Sequence, residues 1–301
     1  MVLLDWSITA LGVLVVLVAL RDIFHTLWHP SGRGSISSWV MGTVWRLGRR
    51  RRERGAGGVL TGPTALLLVI VVWITLLVGG GALVYAPHIP EGFVFQSGLD
   101  VSERSDVLDA VYLSTVTLAT LGFGDIVPAS GWLRVAMPVQ ALVGFALLTA
   151  SVTWVLQVYP ALTRRRALAV RLALLRAVPR EELLHDPHSS AAAPLLTDLA
   201  VALAQARVDH TQYMETFYFR DGSEEASLPA MLGVASDLAA AGRTAPRTDV
   251  RTAAVLLSRA LDDLAVVVDA QFLHVGGSTD DVLAAYARTH HYTGQDRSPA
   301  S

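Results

Sequence analysis

The sequence predicts an all-α membrane protein, and three observations support that fold class. Of its 301 residues, 52% are hydrophobic and 17% are charged, and the mean hydropathy of +0.45 is too high for an ordinary soluble protein. Three apolar segments are each long enough to cross a bilayer as a helix. Arginines cluster after the first and third segments. The chain has no cysteine, which excludes disulfides and thiolate metal sites.

The first apolar segment covers residues 2–20 and ends at the charges of Arg21 and Asp22. Nineteen helical residues extend about 29 Å, enough to cross the hydrocarbon core. A cleaved signal peptide would begin with a positive region, which the start of this chain lacks. Residues 1–27 are therefore expected to form an N-terminal transmembrane helix.

Residues 28–62 are predicted to form a linker that contains an amphipathic helix. Its apolar residues recur at helical spacing: Ile36, Trp39, Val40, Val44 and Leu47. Its hydroxyl residues fall on the opposite face: Ser37, Ser38 and Thr43. Two interpretations of the basic cluster that follows stay open: it faces lipid and binds anionic headgroups, at about 1 kcal/mol per arginine, or it only sets topology. The cluster consists of Arg49, Arg50, Arg51 and Arg52.

The second and third spans are predicted at residues 64–85 and 132–159, with Pro138 and Pro160 as candidate kinks. Between them, residues 106–119 form an amphipathic helix that is too short and too rich in hydroxyl groups to span. The distribution of arginines places the N-terminus outside the cell and both the linker and the C-terminal part in the cytoplasm. The protein is thus expected to be a multi-pass protein of the cell membrane with a re-entrant segment.

The most informative motif, Thr-Leu-Ala-Thr-Leu-Gly-Phe-Gly-Asp, occupies residues 117–125 at the end of this short helix. Two glycines flank one aromatic residue, and glycine adopts positive φ at little cost, so successive carbonyls can point the same way. Irregular backbone at membrane depth is tolerated where it lines a polar cavity or is buried in protein. The motif therefore indicates a backbone that lines a pathway.

The motif resembles the selectivity filter of potassium channels, in which rings of backbone carbonyls replace the hydration shell of the ion. The filter positions that bind potassium in that family correspond to Thr120, Leu121, Gly122, Phe123 and Gly124. The resemblance implies an outer helix, pore helix, filter and inner helix over residues 63–160. It also implies a homotetramer for passive potassium flux, with no enzymatic activity, no cofactor and no metal beyond potassium ions in the filter.

Further residues take roles only through this resemblance. Filter support is assigned to Tyr112, Leu113, Thr117 and Asp125, and the gating hinge and cavity to Gly144, Phe145, Leu148 and Val152. Phe123 replaces the usual tyrosine and is expected to pack against Leu113, which stands where the family usually has tryptophan. Tyr112 is expected to hydrogen-bond Asp125. For Gly144, close helix packing is an equally good interpretation.

Residues 161–291 are predicted to form a helical cytoplasmic domain, followed by a disordered tail at 292–301. Its helices are expected at residues 167–177, 193–218, 228–241, 250–272 and 280–288. No Gly-x-Gly-x-x-Gly motif follows a strand pattern, so a nucleotide-binding regulatory domain is not predicted. No nucleic-acid partner is expected. Two other functions stay open: a membrane-anchored signalling or scaffold protein with a degenerate pore, and a less selective cation channel.

Overall fold

The computed structural model describes residues 2–28, 34–52, 61–96 and 105–290, which are mostly helical. The chain divides into two compact units. The first unit comprises Met1–Val44 and Thr64–Leu156, and the second comprises Trp45–Pro63 and Gln157–Ser301.

Five helices contribute to the first unit, and three helical stretches are long and apolar enough to cross a membrane. The helices are α1 Val2–Leu27, α2 Ser35–Arg52, α3 Thr61–Tyr85, α4 Asp106–Leu118 and α5 Leu133–Arg176. The membrane-spanning candidates are α1, the stretch Thr61–His88 and α5. Helices α1 and α3 meet at two glycines, since a Cβ on Gly12 would lie 2.6 Å from the carbonyl oxygen of Gly80. The predicted spans and the short helix between them are confirmed.

Helix α5 is longer than the predicted third span. It continues to Arg176 and passes unbroken through Pro138, Pro160 and the arginines at 164–166. The prediction of a separate helix at 167–177 is therefore wrong. The residues after the arginines are mainly alanine, leucine and arginine, all good helix formers, and the next helix-breaking residue is Pro179.

A two-stranded antiparallel ladder was not predicted. Strand β1, Phe93–Phe95, pairs with β2, Ile126–Pro128, with Val94 opposite Val127. Both strands are three residues long, too short to show alternation in the sequence. The ladder lies over an apolar cluster of buried side chains that includes Tyr85, Phe93, Leu113, Ile126 and Leu133. Because β2 begins one residue after Asp125, this cluster fixes the chain on one side of the candidate filter.

Helix α2 buries one residue of its predicted polar face. Ser37 is 2% exposed, whereas Trp39 of the predicted apolar face is 66% exposed, and contact of that apolar face with lipid stays a prediction. The cause is Asp22, whose Oδ1 accepts a hydrogen bond from the Ile36 amide at 2.8 Å and whose Oδ2 accepts one from the Ser37 hydroxyl at 2.5 Å. A carboxylate from another helix thus caps the N-terminus of α2. The side chains of residues 49–52 lie outside the described part of the structure, so the role of the basic cluster stays a prediction.

The second unit is a helical bundle. Its further helices are α6 Arg180–Leu184, α7 Ala192–Gln212, α8 Leu228–Gly242, α9 Thr248–Val268 and α10 Thr279–Thr289. The helix expected at 193–218 ends at Gln212, and Met214–Tyr218 forms a 3₁₀ turn. This turn places the ring of Phe217 in a parallel stack on Phe272, with ring centroids 4.1 Å apart. The predicted tail at 292–301 lies outside the described residues.

The three arginines at 164–166, taken in the sequence as topology signals, form ion pairs inside the second unit. Arg164 donates to both carboxylate oxygens of Asp209, at 2.7 and 3.0 Å. Asp221 accepts from Arg165 at 3.0 Å and from Arg166 at 2.7 Å. The side chains of Arg165 and Asp221 are 3% and 2% exposed, so this pair is buried.

Candidate functional site

The candidate site begins where helix α4 ends. Asp106 and Asp109 lie in its first turn, where negative charge is favourable, although the side chain of Ser105 makes no capping hydrogen bond. At the other end the chain turns back on the helix, because the amide of Thr120 donates to the carbonyl of Thr117 at 3.0 Å. The next amide, that of Leu121, donates to a helix carbonyl at 2.9 Å. The helix thus determines the direction in which the next residues leave it.

The backbone of the segment Thr120–Gly124 alternates in hand. Thr120, Gly122 and Gly124 have φ values of 56°, 54° and 79°, while Leu121 and Phe123 lie outside the positive-φ region. A positive φ in threonine, a β-branched residue, is an outlier that costs about 1–3 kcal/mol. Such strain persists where the surrounding structure imposes it, commonly at functional sites.

The carbonyl oxygens of this segment are available to a ligand. Within the described residues, no carbonyl oxygen of Thr120–Gly124 accepts a hydrogen bond. The side chains of Leu121 and Phe123 are 57% and 65% exposed in a single chain. A Cβ added to Gly122 or Gly124 would meet nothing within 4 Å. Glycine is therefore favoured at these positions by the positive φ and not by a lack of space.

Asp125 anchors the end of the segment. Its Oδ2 accepts a hydrogen bond from the Tyr112 hydroxyl at 2.6 Å, and its Oδ1 accepts one from the Ile126 amide at 3.1 Å. The hydrogen bond expected between Tyr112 and Asp125 is therefore present.

The expected packing of Phe123 on Leu113 is not made within one chain. Leu113 is 2% exposed and belongs to the apolar cluster beneath the β ladder, together with Tyr85 and Phe93. Phe123 leaves about two thirds of its surface uncovered. Within one chain the cluster already covers Leu113, so the packing of Phe123 in an assembly of several copies stays a prediction.

Gly144 lies where helix α5 contacts the end of helix α4. A Cβ at this position would lie 1.8 Å from the carbonyl oxygen of Leu118, a distance that no side chain could occupy. Helix α5 is unbroken at this point. The structure therefore supports the close-packing interpretation of Gly144, and its role as a gating hinge stays a prediction.

Below the end of helix α4 lies a cavity of about 350 Å³. Its lining residues, from three helices, are Ile70, Ile74, Val78, Thr115, Leu118, Ala119, Thr120, Gly144, Phe145, Leu147, Leu148 and Ser151. The structure thus brings Phe145 and Leu148 together with Thr120, the first residue of the candidate filter. Val152, predicted to share this environment, is not among the lining residues and is 53% exposed.

Two polar residues of the first unit were missed as parts of the site. Asp22 is buried at 3% exposure and accepts a hydrogen bond from Trp73 Nε1 at 2.9 Å. Trp73 in turn packs against Trp154, which is 4% exposed. The second missed residue is Gln140, a glutamine inside an apolar helix. For Gln140 the available signal was a lone polar side chain within an apolar segment, and for Asp22 it was a charge at the end of one.

Comparison with known proteins agrees with this geometry. Residues 66–159 match the model of a family described as "Ion channel", so this part of the chain is an ion channel domain. The match covers α4, the candidate filter and most of the two flanking apolar helices.

The chain is also similar to "Uncharacterized membrane protein YdjJ" of Bacillus subtilis (strain 168). The two are 30% identical over 161 residues, which cover 52% of this chain and 46% of the relative. The chain thus spans about half the length of the curated relative it matches. No solved structure matches the chain.

Proposed function

We propose that this protein is a subunit of a potassium-selective channel for passive flux across the membrane. The observation that carries the proposal is the strained segment Thr120–Gly124, with its alternating backbone hand and with carbonyl oxygens that accept no hydrogen bond from the described residues. Backbone carbonyls arranged in this way replace the hydration shell of a potassium ion. The side chain of Thr120 adds a hydroxyl oxygen at the inner end.

A functional filter requires several copies of this segment, since one chain supplies one side of a ring. The sequence holds a single filter motif, so a closed ring requires a homotetramer with cyclic symmetry. The C-terminal end of α4 then points toward the axis, and the negative end of its dipole favours a cation there. The exposure of Leu121 and Phe123 in one chain is consistent with surfaces that neighbouring copies cover.

The proposed orientation has the N-terminus outside and the second unit in the cytoplasm, because arginines cluster near 46–54 and 164–166. Trp6, His88 and Trp132 form an aromatic group at the opposite end of the spans, with His88 and Trp132 4.9 Å apart. Tryptophans at this depth are typical of a membrane–water interface. The basic cluster at 49–52 is proposed to contact anionic lipids from the cytoplasmic side.

The test is ion flux through the purified full-length protein in liposomes. A potassium gradient is expected to drive flux that an equal sodium gradient does not. Comparable rates for both ions would favour the less selective cation channel. An absence of flux for both ions, with the protein shown to be tetrameric and inserted, would overturn the proposal and favour a scaffold with a degenerate pore.

A further inference from the structure

A hydrogen-bond network connects the two spanning helices of the channel domain with the short helix between them. The Tyr85 hydroxyl of α3 donates to Gln140 Oε1 of α5 at 2.5 Å. Gln140 Nε2 then donates to Ser114 Oγ of α4 at 2.8 Å, and Ser114 Oγ donates to the carbonyl oxygen of Val78, again on α3, at 2.8 Å. In this network each side chain donates to the next group, so the donors and acceptors follow one another from Tyr85 to the carbonyl oxygen of Val78.

The hydrogen-bonded residues are at least partly buried, and Gln140 itself is half-buried. Ser114 is 0% exposed and Tyr85 is 2% exposed. Breaking one bond would leave a buried polar group without a partner, which costs more than the bond contributes when it is made. The arrangement therefore holds α4 in one position relative to α3 and α5.

Gly81 leaves the space that this hydrogen-bond network occupies. A Cβ at Gly81 would lie 2.4 Å from both Gln140 Nε2 and Ser114 Oγ. Gly79, two residues earlier on the same helix, offers a contrast, because a Cβ there would meet nothing within 4 Å. Within the glycine triplet at 79–81, the hydrogen-bond network thus requires a glycine at position 81 but not at position 79.

We propose that Gln140 is a positioning residue of the filter and that it acts through Ser114 on helix α4. The inference rests on the proposed potassium channel function and identifies which residue holds the pore helix from behind. Ser114 lies one turn before Thr117, whose carbonyl receives the Thr120 amide, so a displacement of α4 at Ser114 moves the first filter residue. Asp125 is held separately by Tyr112, so Gln140 controls the inner end of the filter.

The experiment is single-channel recording of the full-length protein in lipid bilayers. Gln140→Met removes the hydrogen bonds of Gln140 with Tyr85 and Ser114 at nearly constant side-chain volume and is expected to raise the closed-to-open ratio about fivefold, equivalent to about 1 kcal/mol. Tyr85→Phe is expected to have a smaller effect in the same direction. The closed-to-open ratio of the double variant is expected to match that of Gln140→Met, because both substitutions disrupt the same hydrogen-bond network.

Gly81→Ala provides an independent test, because its methyl group pushes Gln140 and Ser114 apart without removing either. It is expected to reproduce the gating change, whereas Gly79→Ala and the exposed Gln212→Met are expected to behave as the unmodified protein. Tetramer mass and melting temperature are measured for every variant.

The outcomes separate the two proposals. If the unmodified protein conducts no potassium, the proposed function is wrong. If it conducts, and Gln140→Met and Gly81→Ala gate as it does, the positioning role is wrong. A lower melting temperature with unchanged gating also overturns it, since Gln140 would then only stabilise the fold. Loss of the tetramer in Gln140→Met leaves the decision to Gly81→Ala and Tyr85→Phe, of which at least one must change gating.

Discussion

At the scale of single residues, the candidate filter depends on backbone angles more than on side-chain contacts. The described residues contain six with φ in the positive region, and three of them are Thr120, Gly122 and Gly124. The glycines were identifiable from the sequence because their spacing matches a known motif. The positive φ of Thr120 was not identifiable from the sequence, because nothing there marks a threonine whose backbone angle is imposed by its neighbours.

Gly122→Ala is predicted to abolish potassium flux while the protein still reaches the membrane. The added methyl group meets nothing within 4 Å in one chain, so its effect comes from the φ of 54°, which a Cβ penalises by about 1–2 kcal/mol in each copy. The measurement is potassium flux in liposomes. Gly131→Ala is the matched control, because that Cβ also meets nothing within 4 Å and the backbone angle there is ordinary. Undiminished flux through Gly122→Ala would contradict the filter assignment.

At the scale of helices and strands, long apolar runs were predictable and tertiary contacts were not. Helices α1 and α3 follow from the length and apolarity of residues 2–20 and 64–85. The β ladder forms between segments far apart in sequence, so no local pattern announces it. The buried face of α2 depends on a partner, Asp22, which the sequence presents only as a charge at the end of a span.

Asp22→Ala is predicted to destabilise the first unit by more than about 2 kcal/mol. The change leaves the Ile36 amide, the Ser37 hydroxyl and Trp73 Nε1 without their acceptor, and each unpaired buried donor costs about 1–3 kcal/mol. The measurement is the unfolding free energy of the detergent-solubilised protein, with hydrogen exchange at the start of α2 as a local probe. Asp198→Ala is the control, since that carboxylate is 66% exposed. Equal stability and equal exchange in the two variants would contradict the capping role of Asp22.

At the scale of the whole molecule, the second unit carries buried groups that titrate abnormally. Burial lowers the pKa of His210 to about 4 and that of His290 to about 3. Arg165 adds to this shift in both histidines, Arg220 adds to it in His290, and Asp209 opposes it in His210. His210 donates from Nδ1 to a helix carbonyl and accepts at Nε2 from the Tyr286 hydroxyl, so its neutral form fits the core.

The second unit is therefore predicted to lose stability in acid. Because both folded-state pKa values lie below the unfolded value of about 6.5, the unfolded chain binds more protons as the pH falls from about 6.5 toward 4. Stability is complete above this range and decreases below it, by up to about 1.4 kcal/mol per histidine for each pH unit. Hydrogen exchange in α7 and α10 of the full-length protein, compared at pH 7.5 and pH 5, measures the effect. His185→Gln, a change outside this pair, is the control, and His210→Gln is expected to reduce the pH dependence. A pH-independent exchange rate, after correction for intrinsic chemistry, would contradict the prediction.

Helix α5 contributes residues to both units, and within the second unit its Arg165 and Arg166 pair with Asp221. The sequence revealed these arginines only as a basic cluster, since their acidic partner lies more than fifty residues away. Asp221→Asn leaves Arg165 buried beside a neutral group, and breaking such a buried pair costs about 3–5 kcal/mol. The second unit is therefore predicted to open while the filter, held within the first unit, still selects potassium. Single-channel recording is expected to give an unchanged potassium preference with an altered open probability, because any change in the second unit shifts gating by its differential effect on the closed and open states.

Asp237→Asn serves as the control, since its ion pair with Arg180 is solvent-exposed and worth at most about 1 kcal/mol. If hydrogen exchange shows that Asp221→Asn opens the second unit but open probability and selectivity stay unchanged, the second unit takes no part in gating.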